Sequence, residues 1–141
     1  MESFGITRVA VTIWEDRISP VFDASRNLII AGIDGKKRIC NESTLAFAPS
    51  RPSRLASTLR RMEVFILICG AISTEPAGCL QDGGITLIPF ITGRWQAVLE
   101  AYASGRPLAP TFVMPGCREA AGETPGLKPA RQDGKKAEGV A

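Results

Sequence analysis

The stretch "VFILICGAISTEPAGCLQDGGITLIP", Val64 to Pro89, decides the fold. Its first five residues, Val64 to Ile68, are all apolar and predict a strand buried on both faces. Cys69 and Gly70 break that run. "STEPAGCLQD", Ser73 to Asp82, then predicts a short helix. Ser73 can cap it, Pro76 is tolerated in its first turn, and Gly83-Gly84 ends it. "ITLIP", Ile85 to Pro89, is a second apolar strand. Strand, helix, strand with no room for a hairpin predicts parallel pairing and a right-handed crossover.

The flanks extend this pattern. "GRWQAVLEAYASG", Gly93 to Gly105, places Trp95, Val98, Leu99 and Tyr102 at i, i+3, i+4 and i+7, a helical stripe that Gly105 stops. "SRPSRLASTLRRM", Ser50 to Met62, has Leu55, Leu59 and Met62 at helical spacing with arginines between them. The first third differs. "RVAVTI" (Arg8–Ile13), "NLIIAGID" (Asn27–Asp34) and "RICNESTLAF" (Arg38–Phe47) read as strands, and the Asp-Gly pair in "DGKK" predicts a hairpin between the last two. The order is β-β-β-α-β-α-β-α. Helices on both faces of a five-stranded mixed sheet would bury the apolar strands, giving a three-layer α/β/α domain.

Bulk composition narrows the function. The chain has 141 residues, enough for one domain with a core, and a net charge of +3. That charge is too mild to point to nucleic acid. No apolar run reaches the ~20 residues of a membrane span, and "MESFGITR" does not read as a secretory signal. A cytoplasmic protein is expected, with its four cysteines reduced. There is no histidine, which excludes Ser-His and Cys-His catalysis and any histidine metal ligand. Residues 1–118 form the expected domain. Residues 119–141 hold four glycines and two prolines but only two large aliphatics, Leu127 and Val140, and read as a flexible polar tail.

Ligands in open α/β sheets sit at the carboxyl ends of strands where the strand order reverses. If the Val64 strand pairs with the Arg8 strand, "WEDRISPVFDASR" (Trp14–Arg26) meets "CGAISTEP" (Cys69–Pro76) there, with "PFITGRW" (Pro89–Trp95) nearby. Helix-start N–H groups at Ser73 favour an anion. Gly70 would let backbone approach a ligand. Arg17 or Arg26 could add positive charge. Cys69, just ahead of the helix, would have a lowered pKa as a ligand thiolate; the competing reading is a small hydrophobe in the core. Cys79, ~9 Å along the helix, should not share a metal with Cys69 and reads as packing, as does Cys40. Cys117 in "MPGC" reads as an external thiol. Glu15, Asp16 and Asp23 invite a two-metal hydrolase reading, but "WEDR" is more simply a solvated turn.

"VAVTIWEDRISPVFDASRNLII", "LICGAISTEPAGCLQDGGITLIPFITG", "VLEAYASG" and "FVMPGC" together resemble the dinitrogenase iron–molybdenum cofactor biosynthesis family, the stand-alone relatives of NifX and of the C-terminal part of NifB. The resemblance runs from about Arg8 to Cys117. It implies a ribonuclease H-like fold and a non-enzymatic role with no catalytic residue: holding an iron–sulfur precursor or an iron–molybdenum-type cluster in a nitrogen-fixation context. It implies binding at Ser19, Phe22 and Asp23 and at Cys69, Gly70, Ala71 and Ser73, with Cys69 the metal ligand. Many members carry histidines in their loops or tail; this chain has none. Nucleases of that fold hold metal with a carboxylate in the first strand, and "RVAVTI" has none. Two further readings stand beside carriage: a small-anion binder using the same crevice without metal, and a protein-interaction module, such as a homodimer.

Overall fold

The computed structural model describes residues 6–115. Cys117 and the 119–141 tail lie outside the described residues. In chain order the elements are β1 (Thr7–Trp14), β2 (Arg17–Ile18), a 3-10 turn (Phe22–Ala24), β3 (Asn27–Ile33) and β4 (Ile39–Ala46). They continue with α1 (Pro52–Arg61), β5 (Val64–Ile68), α2 (Thr74–Asp82), β6 (Thr86–Ile88) and α3 (Trp95–Ala103). Every expected strand and helix forms within two residues of its expected ends. The addition is β2, two residues that fold back on the end of β1.

The main sheet runs β4-β3-β1-β5-β6. β3 is antiparallel to β1 and to β4, whereas β5 is parallel to β1 and β6 to β5. One antiparallel strand therefore sits among four that share a direction, the expected ribonuclease H-like mixed sheet. The β3–β4 hairpin closes as its Asp-Gly signal predicts. The Asp34 carboxylate accepts the N–H groups of Lys36 and Arg38, both at 2.9 Å. The Arg38 N–H bond, foremost among several contacts, holds that carboxyl below its usual range.

Alternation along the strands builds two cores. Ala10, Leu28, Ile30, Leu67 and Leu87 face Leu55, Leu59 and Leu80 of α1 and α2. Val9, Val11, Ile29, Ala31 and Ile68 face Val98, Leu99 and Ala103 of α3. Each fully buried Leu or Val contributes on the order of 1.5–3 kcal/mol of transfer free energy. The result is the expected three-layer α/β/α domain.

One expectation fails at the start of β5. Phe65 is 47% exposed, so the strand is not buried throughout. Arg8 pairs with Val64 but Val9 pairs with Ile66, which leaves Phe65 as the extra residue of a bulge. A bulge re-aims the side chain that an unbroken strand would have buried.

Candidate functional site

The carboxyl ends of β1 and β5 are adjacent, and the loops beyond them are joined by backbone. Glu15, at φ 58°, turns the chain so that β2 returns along β1. Ile18 N–H donates to the Gly93 carbonyl (2.8 Å) and Ser19 N–H to the Thr12 carbonyl (3.0 Å). The chain then crosses the end of β5. Ala71 N–H donates to the Pro20 carbonyl (2.9 Å) and Phe22 N–H to the Ala71 carbonyl (2.7 Å). So Ser19–Asp23 and Cys69–Ser73, chosen from sequence as one site, are in direct contact. Residues 89–95 join them: Ile91 N–H donates to the Cys69 carbonyl (3.0 Å) and Phe90 N–H to that of Gly70 (2.9 Å).

Gly70 does something other than expected. A Cβ there would lie 2.3 Å from the Ser19 carbonyl oxygen and 2.5 Å from that of Pro20. The space its missing side chain leaves is filled by the chain's own loop rather than by an approaching ligand. Ala71, next to it, supplies both backbone groups of the bridge to Pro20 and Phe22.

Cys69 also departs from expectation. It is fully buried in the core with Phe22, Leu28, Leu67 and Leu80. Burial first, and the negative charge of Asp23 second, push its thiol up to about 12. The sequence argument for a lowered pKa weighed only the nearby helix start. Desolvation of a thiolate is larger, because it disfavours the charged form directly. Cys69 is a protonated thiol in the core.

Ser73 occupies the N-cap position of α2 but makes no capping bond. Its hydroxyl donates instead to the Asp23 carboxylate. This corrects the expected cap and ties the 3-10 turn to the start of α2. Phe22, fully buried, anchors the same turn from below and meets the ring of Phe47 at 5.5 Å.

Beneath the loop lie buried polar groups. Ser25 Oγ sits 2.8 Å from both Ser19 Oγ and the Val21 carbonyl, so its one proton serves one of them. Thr12 is fully buried, and its Oγ1 has no hydrogen-bond partner among the described residues. Parallel pairing of Val11 with Ile68 puts Thr12 level with Cys69 across the β1–β5 seam. Thr12 and Ser25 were missed by sequence reasoning. Thr12 had a signal, as the one uncharged polar residue in "RVAVTI"; Ser25 had none.

On the α3 side, Arg94 pairs opposite Arg17 in an isolated antiparallel bridge, and Trp95 N–H donates to the Asp16 carbonyl (3.1 Å). Two like charges across a ribbon repel unless something anionic is near. Trp14 and Val21 are exposed on this crest, at 59% and 42%. Arg94 was missed because "TGRW" alone does not say which strand it faces.

Cys40 and Cys79 are free, half-buried thiols. Among the described residues no group of three metal-ligating side chains gathers, Glu15, Asp16 and Asp23 included. No helix among them is long and apolar enough to cross a membrane.

A sequence model described as "Dinitrogenase iron-molybdenum cofactor" matches residues 5–105. Several solved structures share the fold. PH0822 superposes with a TM-score of 0.62 at 20% identity, covering 71% of this chain and 91% of its own. MJ0327 from Methanococcus jannaschii gives 0.58 at 17% identity, covering 78% and 93%. TM1290 from Thermotoga, which carries a NifB description, gives 0.54 at 20%, covering 71% and 90%. No curated protein sequence matches the chain. The structural likenesses carry the fold, the sequence model spans most of the domain, and the chain belongs to the dinitrogenase iron–molybdenum cofactor family.

Proposed function

We propose that the protein binds and carries, without catalysis, an anionic metal–sulfur cofactor or its precursor, of the iron–molybdenum type, as cargo. The observation that carries this reading is the backbone junction of the Ser19–Asp23 and Cys69–Ser73 loops at the strand ends. That junction brings together polar groups of different chemistry. The Ser73 hydroxyl donates to the Asp23 carboxylate at the start of α2, and Arg17 and Arg94 are paired through their backbones where the same loop meets the start of α3. The arginines and helix-start N–H groups would hold the anionic sulfides by charge and hydrogen bonds. Asp23 is an oxygen donor for a metal edge.

The fit of Cys69 as direct ligand is conditional on movement. A thiol that is fully buried and protonated presents no sulfur to a cluster. Cys69 becomes a ligand only if the Ser19–Asp23 loop lifts and the proton leaves. Binding through the other groups needs no such step.

Anaerobic reconstitution of the full chain with iron, molybdate and sulfide tests the reading. Charge-transfer absorption that stays with the protein through gel filtration is expected. It should weaken in Asp23→Asn and in the Arg17→Ala, Arg94→Ala pair. A colourless protein with no bound metal would overturn it. The buried, protonated state of Cys69 favours a second reading, a small-anion binder without a metal cluster. In that case molybdate or phosphate alone should raise the melting temperature through the same arginines.

A further inference from the structure

The strongest unassigned surface lies away from that crest. Leu45, Phe47, Ala48 and Leu55 line a small open groove of about 90 Å³ between the end of β4 and α1. Arg51 and Arg54 form its rim, and Arg60 and Arg61 continue the charge to the end of the helix. No acidic residue lies on α1. The arginines are exposed, and among the described residues none of the four is in an ion pair. Among the described residues β4 is the last strand of the sheet and no strand pairs with its outer edge, which runs along the same side.

We infer that this groove is the docking site for an acidic segment of a partner protein, whose apolar side chains enter between Phe47 and Leu55 while its carboxylates meet Arg51 and Arg54. Charge complementarity selects the occupant: the rim is of one sign, and arginine pairs with carboxylates in bidentate geometry. The apolar floor argues for a polypeptide over a nucleic acid, because a phosphate backbone would leave Leu45, Ala48 and Leu55 uncovered. The place of the groove adds a consequence. Phe47 N–H donates to the Arg26 carbonyl (3.0 Å), and its ring packs on Phe22, which sits beside Asp23. A partner seated there touches the same aromatic pair that anchors the candidate site loop. Docking stands without the proposed cargo; only its coupling to cargo transfer rests on that reading.

The test is titration of the isotope-labelled full chain, free of any cluster, with a short peptide alternating glutamate and leucine, followed by NMR. The largest shifts are expected at residues 45–58, with a smaller one at Phe22 through its contact with Phe47. Affinity should fall as salt is raised and drop ~10-fold or more in the Arg51→Glu, Arg54→Glu variant, as for steering charges at a rim. Circular dichroism of that variant should match the parent, since both side chains are exposed. Several results would each overturn the inference. These are no shifts at 45–58, equal binding of the peptide with lysine in place of glutamate, tighter binding of oligothymidine, or unchanged affinity in the variant. Self-association of the free chain through these residues would make the occupant a second copy and would also overturn it.

Discussion

The crest at the ends of β1 and β5 and the groove beside α1 are built on opposite principles. At the crest the backbone does the work. Gly70 lies against Ser19 and Pro20, Ala71 bridges the loop in both directions, and Cys69 is sealed beneath. At the groove the backbone is ordinary helix and strand end, and the exposed arginines on its rim set its character. The crest should therefore be intolerant of a single added carbon yet hard for a ligand to enter. The groove should tolerate charge reversal structurally and lose only recognition. The contrast teaches where to look for each kind of failure.

The largest effect is expected from Gly70→Ala. Its Cβ would overlap backbone oxygens of Ser19 and Pro20, which cannot swing aside as a side-chain end could. A loss of ~3 kcal/mol or more in urea unfolding is expected, at the upper end of overpacking costs. Gly35→Ala, in the β3–β4 turn with nothing within 4 Å, should be near neutral. Equal effects at the two glycines would break the comparison.

Next comes the alkaline limb of stability. Burial raises the Cys69 thiol to about 12, whereas an unfolded cysteine titrates at ~8.5. The folded form therefore keeps a proton that the unfolded form gives up. This contribution is fully present below pH ~8.5 and is lost progressively as pH rises towards 12. Cys69→Ala should flatten the fall in unfolding free energy between pH 8.5 and 10 relative to the parent. An unchanged slope would mean that the thiol is not sealed, and the crest would be open after all.

The smallest effect on stability belongs to the groove. Arg51→Glu with Arg54→Glu should change unfolding free energy by no more than ~0.5 kcal/mol, as for exposed substitutions generally. A loss comparable to that of Gly70→Ala would show that the groove is structural and erase the distinction.

Much of this was legible in the sequence, and the misses share a cause. The apolar runs at Val64–Ile68 and Ile85–Pro89 and the stripe from Trp95 to Tyr102 each carry their own period, so the elements could be read locally. The meeting of "RISPVFD" with "CGAIST" followed from topology, since a parallel β1–β5 pair puts both loops at one end. The role of Gly70, the burial of Phe22 and the pKa of Cys69 were not legible, because each depends on what stands across from it. Nor was β2, where Glu15 takes a left-handed conformation usually signalled by Gly or Asn. Ser73 was a sound cap by residue type; only the position of Asp23, 50 residues earlier, redirected its hydroxyl.

By itself, then, the sequence determined the order of strands and helices, the hairpin at Asp34-Gly35, the absence of histidine chemistry and the family. Those are properties of spacing and residue type, which a chain carries before it folds. The tertiary structure decided that Gly70 receives the chain's own loop, that Phe65 turns outward at a bulge, and that Asp23 takes the Ser73 hydroxyl. It also decided the state of Cys69. A helix start favours a thiolate, but desolvation acts more strongly, and only the packed core could reveal that the sulfur had been taken out of water.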